Sequence, residues 1–142
     1  MKNLQFLTHQ ELFDRAIDHL FRQGQAALLP RGGGAYRGFH GGCPVGSLIN
    51  PLHYTSAMEG VPVRYVDKPA DTIPAYMDAG VAALKKALLK ARVNVYDPTT
   101  VSLLSCLQNV HDAFGVWEWR DRLKSIARQF GLSMQRLQLK AA

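Results

Sequence analysis

Residues 116–131 read VWEWRDRLKSIARQFG and carry the most regular helical pattern in the chain. Their apolar residues recur at steps of 3, 4, 3, 1 and 3, which matches the 3.6-residue period of a helix with one buried face. Gly131 and the apolar residue after it are typical of a helix end. The pattern predicts a C-terminal helix in which Trp119 and Phe130 are buried anchors. The full stripe is Val116, Trp119, Leu123, Ile126, Ala127 and Phe130.

Three further helices are predicted before this one. Thr8 and Glu11 have the spacing of a capping box, which begins a first helix that ends near Gly24. Residues 73–92 carry a second apolar stripe, and a third helix begins at an Asp-Pro pair, residues 97–98. Four main helices make the predicted fold mainly α.

The segment between the first two of these helices has no helical period and is rich in glycine and proline. Within it we predict short extended pieces at residues 35–39, 43–48 and 61–66, and a short helix capped by Asn50 with Pro51 in its first turn. The predicted fold class is therefore mainly α (α+β), with about four main helices packed on a Gly/Pro-rich segment that includes a small β-ribbon.

Length and composition predict a single domain over residues 1–142. The chain is 47% hydrophobic and 20% charged, as in ordinary globular proteins, and no apolar stretch approaches the roughly 18 residues of a membrane span. The first residues lack the pattern of a secretory signal, so we expect a cytoplasmic protein. Residues 133–142 form a basic tail, either ordered or flexible. The net charge of +6 favours a phosphate-bearing partner.

The most unusual segment is residues 31–43, RGGGAYRGFHGGC. Backbone N–H groups of glycines can bind an anion, guanidinium groups bind phosphate, and aromatic rings stack on bases. The segment has neither a Walker A motif nor a Rossmann fingerprint. Two interpretations stay open: a hairpin loop with Tyr36 packed in the core, and a ligand site. The predicted ligand-binding residues are Arg31, Tyr36, Arg37, Phe39, His40, Gly41 and Gly42.

Catalytic and metal sites are weaker hypotheses. His111 and Asp112 are adjacent, like the metal-binding pair of HD phosphohydrolases, and with Cys43 they suggest a thiol triad. A possible set of four metal ligands is His40, Cys43, His53 and Cys106. The spacing of His40 and Cys43 suits metal ligands, but the spacing of His53 and Cys106 does not support the set. We predict no catalytic residue, metal or cofactor.

The last helix also carries a basic surface, formed by Arg120, Lys124 and Arg128. Such a surface either binds nucleic acid or is a solvated helix face. Trp117 lies off the buried stripe, where it either anchors a neighbouring loop or marks a subunit contact. Self-association therefore stays open.

Several motifs together resemble a family of small uncharacterised phage and prophage proteins. The resemblance covers residues 4–132. In that family a Lys commonly precedes the Cys and a Cys often stands two residues before the Tyr-Arg pair, where this chain has Gly42 and Gly34. The motifs are YR at residues 36–37, GGCPVGSLI at 41–49, Tyr54, MEG at 58–60, LQNVHD at 107–112, Trp119 and FGL at 130–132.

The resemblance implies a setting and no mechanism. Small phage proteins often act on the host by blocking a defence protein or by sequestering its nucleotide signal. We therefore predict a non-enzymatic binding protein that displays the glycine-rich loop, with a nucleotide or a host defence protein as its partner. The alternatives are a nucleic-acid-binding regulator that uses the basic C-terminal helix, and a small hydrolase that uses His111, Asp112 and Cys43.

Overall fold

The computed structural model describes residues 5–29, 34–37 and 41–140. The fold is mainly α, as predicted. The α-helices in the described residues are α1 (His9–Gln23), α2 (Pro44–Leu48), α3 (Asp78–Lys90), α4 (Pro98–Ala113), α5 (Trp119–Phe130) and α6 (Gln135–Gln138). Short 3₁₀ segments span Pro51–His53, Ser56–Met58, Val63–Asp67, Ala70–Thr72, Ala75–Met77 and Val116–Glu118.

The predicted helix ends are confirmed by their capping contacts. Thr8 Oγ1 accepts the backbone N–H of Glu11 at 3.0 Å, and the Glu11 carboxylate accepts the N–H of Thr8 at 2.9 Å. The Asp97 carboxylate accepts a first-turn N–H of α4 at 3.1 Å. Gly24 and Gly131 follow α1 and α5 with φ of 70° and 65°, a left-handed conformation that glycine adopts without strain.

The extended piece predicted at residues 43–48 is wrong, because residues 44–48 form α2. Cys43 caps this helix, because its Sγ accepts the backbone N–H of Gly46 at 3.4 Å. Pro44 occupies the first turn, where its missing N–H leaves no intrahelical hydrogen bond unmade. A cap followed by proline therefore gives a short helix where the sequence predicts an extended piece.

The other predicted extended pieces do not form a sheet in the described residues either. Residues 63–67 form a 3₁₀ segment directly after Pro62. Part of the piece at 35–39 lies outside the described residues. Strand-type pairing is limited, within the described ranges, to isolated bridges such as the antiparallel one between Leu28 and Gly34.

Two predicted helices begin later than expected. The helix predicted from residue 73 begins at Asp78, after a 3₁₀ segment that follows Pro74. The last long helix begins at Trp119, and Val116 is 43% exposed instead of belonging to the buried stripe. Trp117 lies off the stripe as predicted, with 85% of its surface exposed.

Helix α4 lies at the centre of the fold and contacts α1, α2, α5 and the segment Val63–Asp67. The C-terminal residues up to 140 pack on α1, since Leu137 is buried and Asp18 pairs with Arg136 at 3.3 Å and Lys140 at 3.2 Å. Among the described residues, no helix combines the length and apolarity that a bilayer crossing requires. The apolar side chains that α4 buries are Val101, Leu103, Leu104, Leu107 and Val110.

Candidate functional site

A cleft of about 500 Å³ opens beside the second half of α4. Gly34 and Tyr36 of the glycine-rich segment and the residues around Val61 form its other walls. Its described lining mixes charged, amide, hydroxyl and thiol groups with a few apolar side chains. These residues are Leu29, Gly34, Tyr36, Gly60, Val61, Pro62, Arg64, Ser105, Cys106, Gln108, Asn109 and Asp112.

Three polar residues of α4 line the cleft along one face of the helix. Ser105, Asn109 and Asp112 are separated by steps of four and three, so their side chains lie one above the other. At 1.5 Å per residue this face extends about 10 Å along the helix. It is the polar counterpart of the apolar stripe that α4 turns to the core. Its spacing is the sequence signal that could have indicated the site.

Asp112 is held by a chain of hydrogen bonds that begins at the backbone of Ala27. The N–H of Ala27 donates to His111 Nε2 at 2.9 Å, so the imidazole proton lies on Nδ1, which donates to Asp112 Oδ1 at 2.7 Å. The His111 side chain is fully buried and stacks on Trp119, with ring centres 6.1 Å apart. Both ring nitrogens are occupied, so His111 positions Asp112 and offers no nitrogen to a metal or a substrate.

Gly34 of the glycine-rich segment lies directly over Asp112. A Cβ at Gly34 would overlap the Asp112 carboxylate, so a larger residue here would require the Asp112 side chain to move. The contact joins the segment to the last turn of α4. It also explains why Gly34 and Asp112 line the same cleft although they lie far apart in the sequence.

Tyr36 is a core residue in this structure. Its ring is buried, its hydroxyl donates to the carbonyl of Val61, and the same hydroxyl accepts Gln108 Nε2–H at 2.9 Å. Burial raises the pKa of this phenol well above its ordinary value of 10.0. For this residue the structure agrees with the interpretation that packs Tyr36 in the core. Its buried ring leaves no face on which a base could stack.

Arg37 is exposed and contacts the protein through both its backbone and its side chain. Its N–H donates to Glu59 Oε2 at 3.0 Å, while the other carboxylate oxygen accepts the N–H of Tyr36 at 2.8 Å. The guanidinium donates to the carbonyl of Ile49 at 3.0 Å and lies 5.4 Å above the ring of Tyr54. The two carboxylate oxygens of Glu59 therefore fix the backbone of residues 36–37.

The far end of the segment is held by α1. Gly42 donates its N–H to Gln23 Oε1 at 3.1 Å, and its carbonyl accepts His19 Nε2–H at 2.6 Å. Burial lowers the pKa of His19, which keeps the ring neutral and suited to this single donation. Gly41 adopts φ of 107°, which favours glycine. The remaining predicted ligand residues, Arg31, Phe39 and His40, lie outside the described residues.

The cysteines do not resemble nucleophiles or metal ligands. Cys43 is buried, and burial raises the pKa of its thiol to about 12, so it is protonated at neutral pH. Cys106 is half-buried on the cleft wall, and burial raises its pKa as well. Among residues 5–29, 34–37 and 41–140, no three His, Cys, Asp or Glu side chains come together as a metal site would require.

The basic surface of α5 is partly used within the protein. The Arg120 guanidinium donates to the carbonyl of Leu137 at 3.0 Å and to that of Lys140, and it covers the ring of Phe21. Arg120 therefore anchors the C-terminal residues. Arg128 is exposed and Lys124 is half-buried on the same helix.

Arg64 is a cleft residue that no sequence motif indicates. Its guanidinium carbon lies 5.0 Å from the ring centre of Tyr65. The preceding residue, Val63, donates its N–H to Gln108 Oε1 at 3.1 Å, which fixes the segment against α4. An isolated arginine in an irregular segment carries no spacing signal, so only packing reveals its place in the cleft that Asn109 and Asp112 also line.

Comparison of the chain with protein-family models, curated proteins and solved structures finds no match. The resemblance to small phage proteins therefore stays a prediction from the sequence motifs.

Proposed function

We propose that the protein is a non-enzymatic binding protein whose cleft beside α4 takes a mononucleotide. The observation that carries the proposal is the composition of the cleft: a guanidinium, a carboxylate and an amide side chain within one space of about 500 Å³. That volume is typical of small-molecule sites, and the mixed polarity suits a ligand with both an anionic group and a polar ring. Arg64, Asp112 and Asn109 supply these groups.

Arg64 is the group that favours phosphate. It is exposed, and its guanidinium presents planar N–H donors that match phosphate oxygens. The net charge of +6 would attract an anionic ligand from a distance and raise its association rate.

The groups that a hydrolase would need are buried, protonated or already hydrogen-bonded, which favours binding over hydrolysis. The Cys43 thiol is buried and protonated, and both nitrogens of His111 already have partners. A nucleophile needs an accessible thiolate or an adjacent base with a vacant nitrogen. The residues of the hydrolase hypothesis instead have structural partners.

A protein that binds a nucleotide without converting it lowers the concentration of the unbound nucleotide. This action agrees with the expectation, drawn from the phage resemblance, that the protein antagonises host defence by sequestering a nucleotide signal. We propose sequestration as its biological role.

A thermal-shift screen tests the binding proposal. The full chain is heated with millimolar nucleoside monophosphates, with cyclic nucleotides, with the matching nucleosides and with inorganic phosphate. A ligand that binds only the folded state raises the melting temperature. We expect at least one nucleotide to raise it more than its nucleoside or phosphate does. The proposal is overturned if no nucleotide shifts the transition, or if phosphate alone gives the whole effect.

A further inference from the structure

The base that the cleft would select follows from the atoms that α4 presents, and this inference rests on the proposed function. Asn109 and Asp112 lie one helical turn apart on the face that lines the cleft. Side chains at this spacing have Cβ atoms about 5 to 6 Å apart. One planar ring can therefore meet both side chains at one edge.

Asp112 enters the cleft as a fixed hydrogen-bond acceptor. One carboxylate oxygen accepts His111 Nδ1–H at 2.7 Å, and the imidazole is itself fixed by Ala27 and Trp119. The side chain is nevertheless 31% exposed, so ligand atoms can reach the carboxylate. An ionised carboxylate has no proton to donate. The ligand must therefore bring N–H donors to this point.

Among the common bases, guanine presents the edge that best fits a carboxylate. Its ring N1–H and amino N2–H are adjacent donors pointing the same way. Adenine and cytosine place one amino donor beside a ring nitrogen acceptor, which a carboxylate repels, and uracil places one N–H between two carbonyls. The Asn109 amide can donate to the guanine O6 that adjoins N1. A donor or acceptor that the bound base covers and leaves without a partner disfavours the wrong base.

We propose that the ligand of the cleft is a guanine nucleotide, with Asp112 accepting from N1–H and N2–H, Asn109 donating to O6, and Arg64 binding the phosphate. Asp112 then determines base specificity. Its replacement has a predictable consequence, because Asp112→Asn exchanges a carboxylate oxygen for an N–H donor. The variant side chain can still accept from His111 through its amide oxygen, so the fold is retained.

The test measures the dissociation constants of GMP, AMP and XMP for the full chain by calorimetry. XMP has a carbonyl where GMP has the amino group, so an amide N–H at residue 112 can donate to it. We expect the wild type to bind GMP at least about tenfold more tightly than AMP or XMP. In Asp112→Asn we expect XMP to bind more tightly than GMP. Asp121→Asn, which changes an exposed acid on α5, is the matched control and should keep the wild-type order.

Each contrary result has a separate meaning. Equal affinities of the wild type for GMP and AMP overturn the guanine inference while the proposed function stands. An unchanged GMP preference in Asp112→Asn overturns the role of Asp112. If no nucleotide binds the wild type, the proposed function fails and this inference fails with it. A gain of XMP binding is a result that partial unfolding of the variant would not produce.

Discussion

His111 donates its Nδ1–H to the carboxylate of Asp112 across 2.7 Å, and the imidazole is buried. The adjacent pair suggests a metal or catalytic site in the sequence, but in the structure it fixes a carboxylate at the edge of a cleft. The opposite ring nitrogen accepts the N–H of Ala27 and thereby ties α4 to the chain that follows α1.

We expect His111→Ala to destabilise the fold strongly. The change leaves the buried N–H of Ala27 without a partner and removes a ring that packs on Trp119. We estimate a loss of at least about 2 kcal/mol from the free energy of unfolding, measured in urea. Asp112→Asn keeps the acceptor for His111 and should lose less than about 1 kcal/mol. Equal small losses in both variants would contradict the structural role of His111.

The buried thiol of Cys43 should make stability depend on alkaline pH. Burial raises its pKa from 9.0 to about 12, so above pH 9 the unfolded chain loses this proton while the folded chain keeps it. Stability from this group is complete below pH 9 and is lost as the pH rises towards 12.

Cys43→Ser removes this titration and keeps a side chain that can cap α2. Between pH 9 and 11 the wild type should lose up to about 1.4 kcal/mol more per pH unit than the variant, by urea denaturation. Burial of Tyr36 adds an alkaline loss in both proteins, and a charged Cys43 thiolate would raise the pKa of Tyr36 further, so the difference reports the Cys43 thiol together with its effect on Tyr36. Parallel stability curves would show that the thiol titrates normally.

An Arg37 variant tests whether this side chain contacts a ligand or supports the fold. The sequence predicts ligand binding, while the structure gives the guanidinium to the carbonyl of Ile49 and the ring of Tyr54. We expect Arg37→Ala to lower the free energy of unfolding by about 1 kcal/mol and to change nucleotide affinity by less than about threefold. Normal stability with a tenfold loss of affinity would restore the ligand role.

Replacing side chains of α5 by Ala should lower the free energy of unfolding in proportion to how deeply each side chain is buried. Trp119 is 1% exposed, so Trp119→Ala should lower the free energy of unfolding by about 3 to 5 kcal/mol. Phe130 is only half-buried, so its replacement by Ala should lower it by less than about 2 kcal/mol. Lys124→Ala, with an effect under about 0.5 kcal/mol, is the control. Similar effects at Trp119 and Lys124 would mean that the helix is not packed as described.

The sequence predicts the helices better than the segment between them. Thr8, Asp97, Gly24 and Gly131 act within a few residues of themselves, so their capping roles can be inferred from local spacing. Residues 43–48 and 61–66 are predicted as extended because the helical period is absent from the segment that contains them. Capping by Cys43 and the prolines at the starts of these stretches determine helical turns instead.

The site was only partly predictable, because its parts come from distant segments. The sequence selects the glycine-rich loop and the pair His111 and Asp112 separately, and packing joins them through the contact of Gly34 with Asp112. Arg64 lies in an irregular segment with no periodic signal. Its position follows from the hydrogen bond between Val63 and Gln108, 45 residues apart.

The most direct test of nucleotide binding in the cleft is a calorimetric titration of three proteins with the nucleotide that gives the largest thermal shift. Arg64→Ala removes the cation of the cleft, and Lys68→Ala removes a nearby exposed cation that does not line it. The account predicts that Arg64→Ala weakens binding at least about tenfold, the scale of one charge-assisted contact, while Lys68→Ala matches the wild type. Equal affinity in all three proteins, or equal weakening in both variants, would contradict it.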